Sequence, residues 1–169
     1  MESELGIVRR HMKVAPVNIA AICSDLGVGY DEHPILSGES GWIECKDGKF
    51  FVVVNSSEST QRRQFTAAHE LGHYLMHRDL LYKAGLTTRH TDRLFGEDKA
   101  TNTESPFKKT HEVQANEIAV QIIMPASQIR EAWRALGGEV HSKTAEIAKQ
   151  FGVSNSAMEI RLKTLHLLD

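Results

Sequence analysis

The chain has 169 residues, 41% of them hydrophobic and 25% charged, with a formal net charge of −2, which suits one domain with a sizeable core. Near-neutral charge argues against bulk non-specific binding to nucleic acid, which Lys and Arg drive. No apolar run approaches the ~20 residues of a membrane span. Met1-Glu2-Ser3-Glu4 has neither a basic nor an apolar leader segment, so no secretory signal is expected and a cytoplasmic location is. Cys23 and Cys45 lie far apart and form no C-x-x-C pair; two reduced thiols are expected rather than a disulfide or a thiolate metal site.

In chain order, residues 4–12 read as a short helix and Pro16 as a break that sets the first turn of the next element. Ile19, Ile22, Cys23 and Leu26 recur at helical spacing, with Gly27 as the stop. Asp31 to Ser40 is polar and rich in turn formers. Two β-rich runs, 41–46 and 49–55, flank Asp47-Gly48, a strong hairpin signal. The second run is nearly all apolar, so it is expected to be covered on both faces. Ser56, Ser57 and Ser59 offer turn and capping chemistry before a long helix from Glu58 to Arg78. Residues 79–110 are the least regular stretch, either a border of a cleft or a plain insertion. Four more helices are expected, at 111–124, 126–136, 144–151 and 154–165.

The chemistry centres on His69-Glu70-Leu71-Gly72-His73. Two His four residues apart share one face of a helix, and both imidazoles can reach a single Zn²⁺. Glu70 between them can take the proton of an attacking water and hand it to a leaving amine. This is the H-E-x-x-H signature of zinc peptidases. Ala68, Leu71, Leu75 and Met76 form an apolar stripe, so the segment reads as a half-buried helix. Gly72 lowers helix propensity by ~1 kcal/mol relative to Ala, a loss that close packing of a small residue can offset. The competing reading is an ordinary amphipathic helix carrying two surface His and a Glu.

A catalytic zinc has three protein ligands and one open position. Glu112, on the next buried helix, is the best third candidate, with Glu117 as its rival if the helix phase differs. Asn116 lies one turn after Glu112 and can hold a ligand in orientation. His77 lies about 12 Å along the axis from His69 at ~1.5 Å per residue, so the three His of the helix cannot share one ion; His77 reads as packing or as support behind a ligand. His111 neighbours Glu112 but points elsewhere. A donor for oxyanion stabilisation can come from Tyr82, His90 or His111, and nothing in the sequence chooses among them.

Arg63-Gln64-Phe65-Thr66, the His69 to His73 motif and the run from Glu112 to Pro125 (E-V-Q-A-N-E-I-A-V-Q-I-I-M-P) together resemble the ImmA/IrrE-type metallopeptidases. The resemblance is weaker over residues 16–26, the hairpin and the C-terminal helices. It implies His69, His73 and Glu112 as metal ligands and Glu70 as general base and acid. It also implies a zincin-like α+β fold, a small twisted sheet packed on helices, with a metallopeptidase domain over 1–125 and a C-terminal helical region over 126–169 packed on it. In such folds an extended substrate adds to a sheet edge, and Lys49–Asn55 marks that neighbourhood. The implied substrate is a protein, a DNA-binding helix-turn-helix repressor or an antitoxin-like regulator. The chain departs from the family pattern at Gln64, where Arg is usual, at Ile118 for Phe, and at Ile122-Ile123 for Leu-Leu.

Residues 147–162 resemble a helix-turn-helix, with Ala148 at the close contact, Gly152 in the turn and Met158 on the second helix. Lys143, Lys149, Arg161 and Lys163 are nearly balanced by Glu146, Glu159 and Asp169, so there is no basic stripe. Direct DNA binding is therefore not the expectation. The leading reading is a zinc endopeptidase. The alternative is a non-proteolytic regulator or toxin–antitoxin component that binds a repressor or DNA through its C-terminal helices.

Overall fold

A computed structural model describes residues 2–36, 38–84, 88–92, 106–137 and 139–169. The fold is α+β. Helices α1 (Glu4–His11) and α2 (Ile19–Asp25) lead into strands β1 (Gly29–His33), β2 (Gly41–Lys46) and β3 (Lys49–Asn55). Helix α3 (Thr60–Ala84) follows, then strand β4 (Thr88–Asp92). The chain closes with α4 (Lys109–Ile123), α5 (Ala126–Ala135), α6 (Val140–Phe151) and α7 (Asn155–Thr164). No helix among the described residues is long and apolar enough to cross a membrane.

The sheet order is β1-β3-β2-β4, with β3 parallel to β1 and antiparallel to β2. The hairpin forms as the sequence predicts. Asp47 (φ 51°) and Gly48 (φ 75°) are both left-handed, which is the two-residue turn whose twist matches its strands. Val52, Val53 and Val54 are buried, as expected for a covered strand. β3 is paired on both sides, so it is interior, and an added strand would have to use β1 or β4. Strand β1 falls in the stretch that begins the polar, turn-rich reading. Its Asp31 and Glu32 are exposed, and its pairing with β3 rather than its own composition makes it a strand. The irregular reading of 79–110 is corrected at both ends and within: α3 runs on to Ala84, α4 already starts at Lys109, and Thr88–Asp92 pairs with β2. Of the rest of that stretch, 106–108 is irregular as read, and 85–87 and 93–105 lie outside the described residues.

Helix α3 is the axis of the molecule, about 37 Å long at ~1.5 Å per residue. Ser59 caps it, accepting at Oγ from the Arg62 amide (3.3 Å). From Thr66 to Tyr74 every residue is buried, so the helix here is covered all round rather than half-buried; it packs on α4, β2 and β3. Met76 is the exception to the expected stripe, at 53% exposure. Arg78 donates to both carboxylate oxygens of Glu4 (2.7 and 2.9 Å), tying α1 to α3. Arg63 does the same for β1 through Glu32 (2.6 Å). Gln64 donates to the Phe151 carbonyl at the end of α6 (3.4 Å), so the residue that stands where the family has Arg braces the C-terminal helices.

One hydrophobic cluster runs from Val8 through Ile43, Leu71 and Ile123 to Leu162. Cys23 and Cys45 are buried within it as free thiols. Burial pushes Cys23 up to about 12 and raises Cys45 as well, so neither is a reactive thiolate. Arg161 on α7 donates its Nε to the Met124 carbonyl at the end of α4 (3.1 Å) and is half-buried, its guanidinium destabilised by burial and by nearby Arg130.

Asn55, at the end of β3, is 5% exposed. Its Oδ1 accepts from the amides of Ile35 and Ser57, and its Nδ2 donates to the carbonyls of Ile35 and Glu39. Asn55→Ala should strand those groups and cost about 2–3 kcal/mol, read in thermal unfolding as a Tm lower by roughly 5–10 °C.

Candidate metal centre

Helices α3 and α4 run antiparallel along their contact, since His69 meets Asn116, His73 meets Glu112 and His77 meets His111. The approach is close at Gly72, where an added Cβ would lie 2.9 Å from the Ala115 carbonyl oxygen and 3.2 Å from its Cα. The expected close packing of this glycine is therefore against the α4 backbone.

Three donor atoms converge there. His69 Nε2 and His73 Nε2 are 3.1 Å apart, and Glu112 Oε2 lies 3.3 Å from the first and 3.4 Å from the second. Three corners of a tetrahedron around a cation with bonds of ~2.0–2.1 Å are separated by about 3.3–3.4 Å. The triangle thus has the dimensions of a metal site, and it is the one such group of three among the described residues. The two imidazoles are buried while the Glu112 side chain is 31% exposed, so the third corner faces partly outward.

The hydrogen bonds behind the three donor atoms fit the same arrangement. His69 Nδ1 lies 2.9 Å from Asn116 Oδ1. An amide oxygen only accepts, so the proton sits on Nδ1 and the Nε2 lone pair is directed into the triangle. His73 Nδ1 lies 3.2 Å from His77 Nδ1, and His77 Nε2 lies 2.9 Å from Gln114 Oε1. Burial lowers the His77 pKa, overriding the opposing hydrogen bond to Gln114. Two nitrogen lone pairs and a carboxylate oxygen held this close repel one another, and a cation between them reverses the sign of that interaction.

Glu70 follows His69 on the helix and is fully buried. His77 meets the outer nitrogen of His73 and not the triangle, as its distance along the helix requires. Glu117 is exposed and stands apart from the three donors. His111 accepts at Nδ1 from the Lys108 amide (3.0 Å) and packs on the His77 ring. Tyr82 is 63% exposed, and the His90 side chain lies outside the described residues. Two residues escaped the sequence reading. Phe107 stacks on the His73 ring, with centroids 4.0 Å apart and planes 13° from parallel. Gln114 reaches His77 from two positions beyond Glu112. Neither carries a spacing signal, because each acts through a neighbour rather than at the triangle.

The chain matches the family model of the IrrE N-terminal-like domain, peptidase M78, over residues 33–163, more than half its length. It belongs to this ImmA/IrrE-type metallopeptidase family. The match spans β2 and β3, the His69-to-His73 motif, α4 and nearly all of the C-terminal helices. Within this IrrE-like domain the buried stretch of α3 and the facing stretch of α4 carry the candidate metal site. No curated protein matches the chain.

Gly72→Ala separates two effects of opposite sign. Helix propensity alone would favour Ala by ~1 kcal/mol, whereas a Cβ against Ala115 forces the helices apart, typically at 1–3 kcal/mol. The variant should have a lower Tm and weaker metal binding; a higher Tm would mean the helices are not in contact there.

Proposed function

We propose that the protein is a zinc-dependent endopeptidase in which His69, His73 and Glu112 hold the ion and Glu70 moves the proton. The observation that carries this reading is the donor triangle, with edges of 3.1, 3.3 and 3.4 Å, built on two helices by residues of an H-E-x-x-H motif and a distant Glu. Two imidazoles and a carboxylate are a recurrent set for catalytic zinc and leave one position open. Zinc, when bound there, polarises the scissile carbonyl and makes water more acidic.

The chain's own groups supply the rest. Glu70 accepts the proton of the attacking water and returns it to the amine that leaves. Asn116 keeps His69 in the tautomer whose Nε2 is a donor to the ion. On this reading residues 1–125 form a zincin-like catalytic unit, and an extended substrate pairs with an outer strand of the sheet. Residues 126–169 pack on that unit, with α6 and α7 as a helix-turn-helix-like support.

The proposed substrate is a protein, a helix-turn-helix repressor or antitoxin-like regulator; the resemblance to ImmA/IrrE-type peptidases supports that choice. Direct DNA contact by α7 is the weaker reading. Arg161, one of the few cations on that helix, is half-buried and engaged with the Met124 carbonyl, and the local charge is balanced.

With zinc-reconstituted protein and a candidate regulator, cleavage is read by mass spectrometry. Glu70→Gln should lower the rate by about 10²–10⁴-fold while keeping its zinc. Glu112→Ala should lose both zinc and cleavage. Cleavage at the wild-type rate by Glu70→Gln would overturn the mechanism, and stoichiometric zinc in Glu112→Ala would overturn the ligand set.

A further inference from the structure

The His73 imidazole has a second nitrogen, and the structure gives it a defined neighbour. His73 Nδ1 lies 3.2 Å from His77 Nδ1, one turn along α3. His77 is 7% exposed, and its Nε2 lies 2.9 Å from Gln114 Oε1 on α4. The proton positions along this chain follow from the last link. The Gln114 oxygen can only accept, so His77 carries its proton on Nε2. A neutral imidazole then has a lone pair on Nδ1, which can only accept from His73. His73 must therefore be protonated on Nδ1, which leaves its Nε2 lone pair directed at His69 Nε2 and Glu112 Oε2.

We propose that His77 is a positioning residue for His73, with Gln114 setting the proton on His77, so that His73 is held as the Nδ1–H tautomer before any metal arrives. The inference rests on the reading of His69, His73 and Glu112 as the metal site. Packing supports the same assignment. The Phe107 ring stacks on His73 at 4.0 Å between centroids, which resists rotation of the imidazole about its bond to the chain. His69 is served separately by Asn116 (2.9 Å). The two ligand imidazoles are thus oriented by different partners, one amide directly and one amide through a second imidazole.

The relay matters because the wrong tautomer is not a weaker ligand but a non-ligand. A proton on His73 Nε2 would occupy the lone pair the metal needs. Loss of such an outer partner typically lowers metal affinity 10–100-fold. An ordinary packing role for His77 makes no such demand, since a phenyl ring would fill the same volume.

The test uses the full chain with Zn²⁺ as the probe. Zinc affinity is measured by chelator competition, and the His73 tautomer by long-range ¹H–¹⁵N correlation of the metal-free protein. His77→Phe, which keeps the ring and removes the acceptor, should lower zinc affinity about 10–100-fold and release His73 from the Nδ1–H form. His77→Gln, which restores an acceptor oxygen, should recover most of the affinity. Gln114→Met, on an exposed side chain, should shift both readouts in the same direction by a smaller amount, with its fold checked by thermal unfolding because it removes the partner of the buried His77 Nε2–H. Wild-type affinity and an unchanged His73 tautomer in His77→Phe would overturn the proposal, as would an unchanged tautomer in Gln114→Met. If wild-type protein takes up no zinc, the metal-site reading fails. The tautomer comparison, made without metal, still reports on His77.

Discussion

The structure depends on how closely α3 and α4 approach. Donor atoms from the two helices lie about 3.3 Å apart beside a close backbone approach: a Cβ added at Gly72 would lie 2.9 Å from the Ala115 carbonyl oxygen. Short residues one turn from that contact, Ala68 on α3 and Ala119 on α4, are buried with Ala115. The same approach creates a difficulty. It holds two imidazoles out of water beside α4, which is costly unless the polar groups are satisfied. Ligand geometry and the demand for compensation therefore arise from one packing event. A cation in the triangle would answer both.

Much of the remaining fold serves to bury α3 without letting it slide. The sheet covers it through β2 and β3, and charged side chains fix its ends and flanks: Arg63 to Glu32 on β1, Arg78 to Glu4 on α1. These pairs are part-exposed and individually contribute little. Their arrangement matters more than their sum, because each links α3 to a different element. Gln64 extends the pattern to α6 with a neutral hydrogen bond. The C-terminal helices are thereby joined to the start of the same helix that carries the His ladder.

Local rules made the hairpin and the His spacing legible. Asp47-Gly48 demands positive φ at both residues, and i, i+4 spacing places two imidazoles on one face whatever the surroundings. Glu112 was legible through the longer motif that follows it. Strand β1 was not, because Gly-Tyr-Asp-Glu-His has little intrinsic strand character; it is a strand only because β3 offers it a partner. The same holds for Thr88–Asp92, which β2 recruits. Total burial of α3 from Thr66 to Tyr74 was hidden for a related reason. Periodicity reports one covered face, whereas cover on every face comes from elements far away in the chain. Gln114 and Phe107 were invisible because each touches a donor residue's ring or its neighbour and none of the three donor atoms themselves.

The His ladder shows how one periodicity yields two chemical roles. Each step of four residues turns about 40° past full register and climbs about 6 Å. One step keeps two imidazoles within reach of a common ion. A second step carries the next imidazole beyond it but leaves it facing the back of its predecessor. His77 is thus excluded from the triangle by rise and delivered to His73 Nδ1 by rotation. Arithmetic on the helix excludes His77 as a third ligand without saying what it does instead. That needs α4, whose Gln114 fixes which nitrogen of His77 bears the proton. A single helix can place the imidazoles, but only its antiparallel partner can orient them. The pairing of His69 with Asn116, His73 with Glu112 and His77 with Gln114 is what joins α3 and α4 at the candidate metal site.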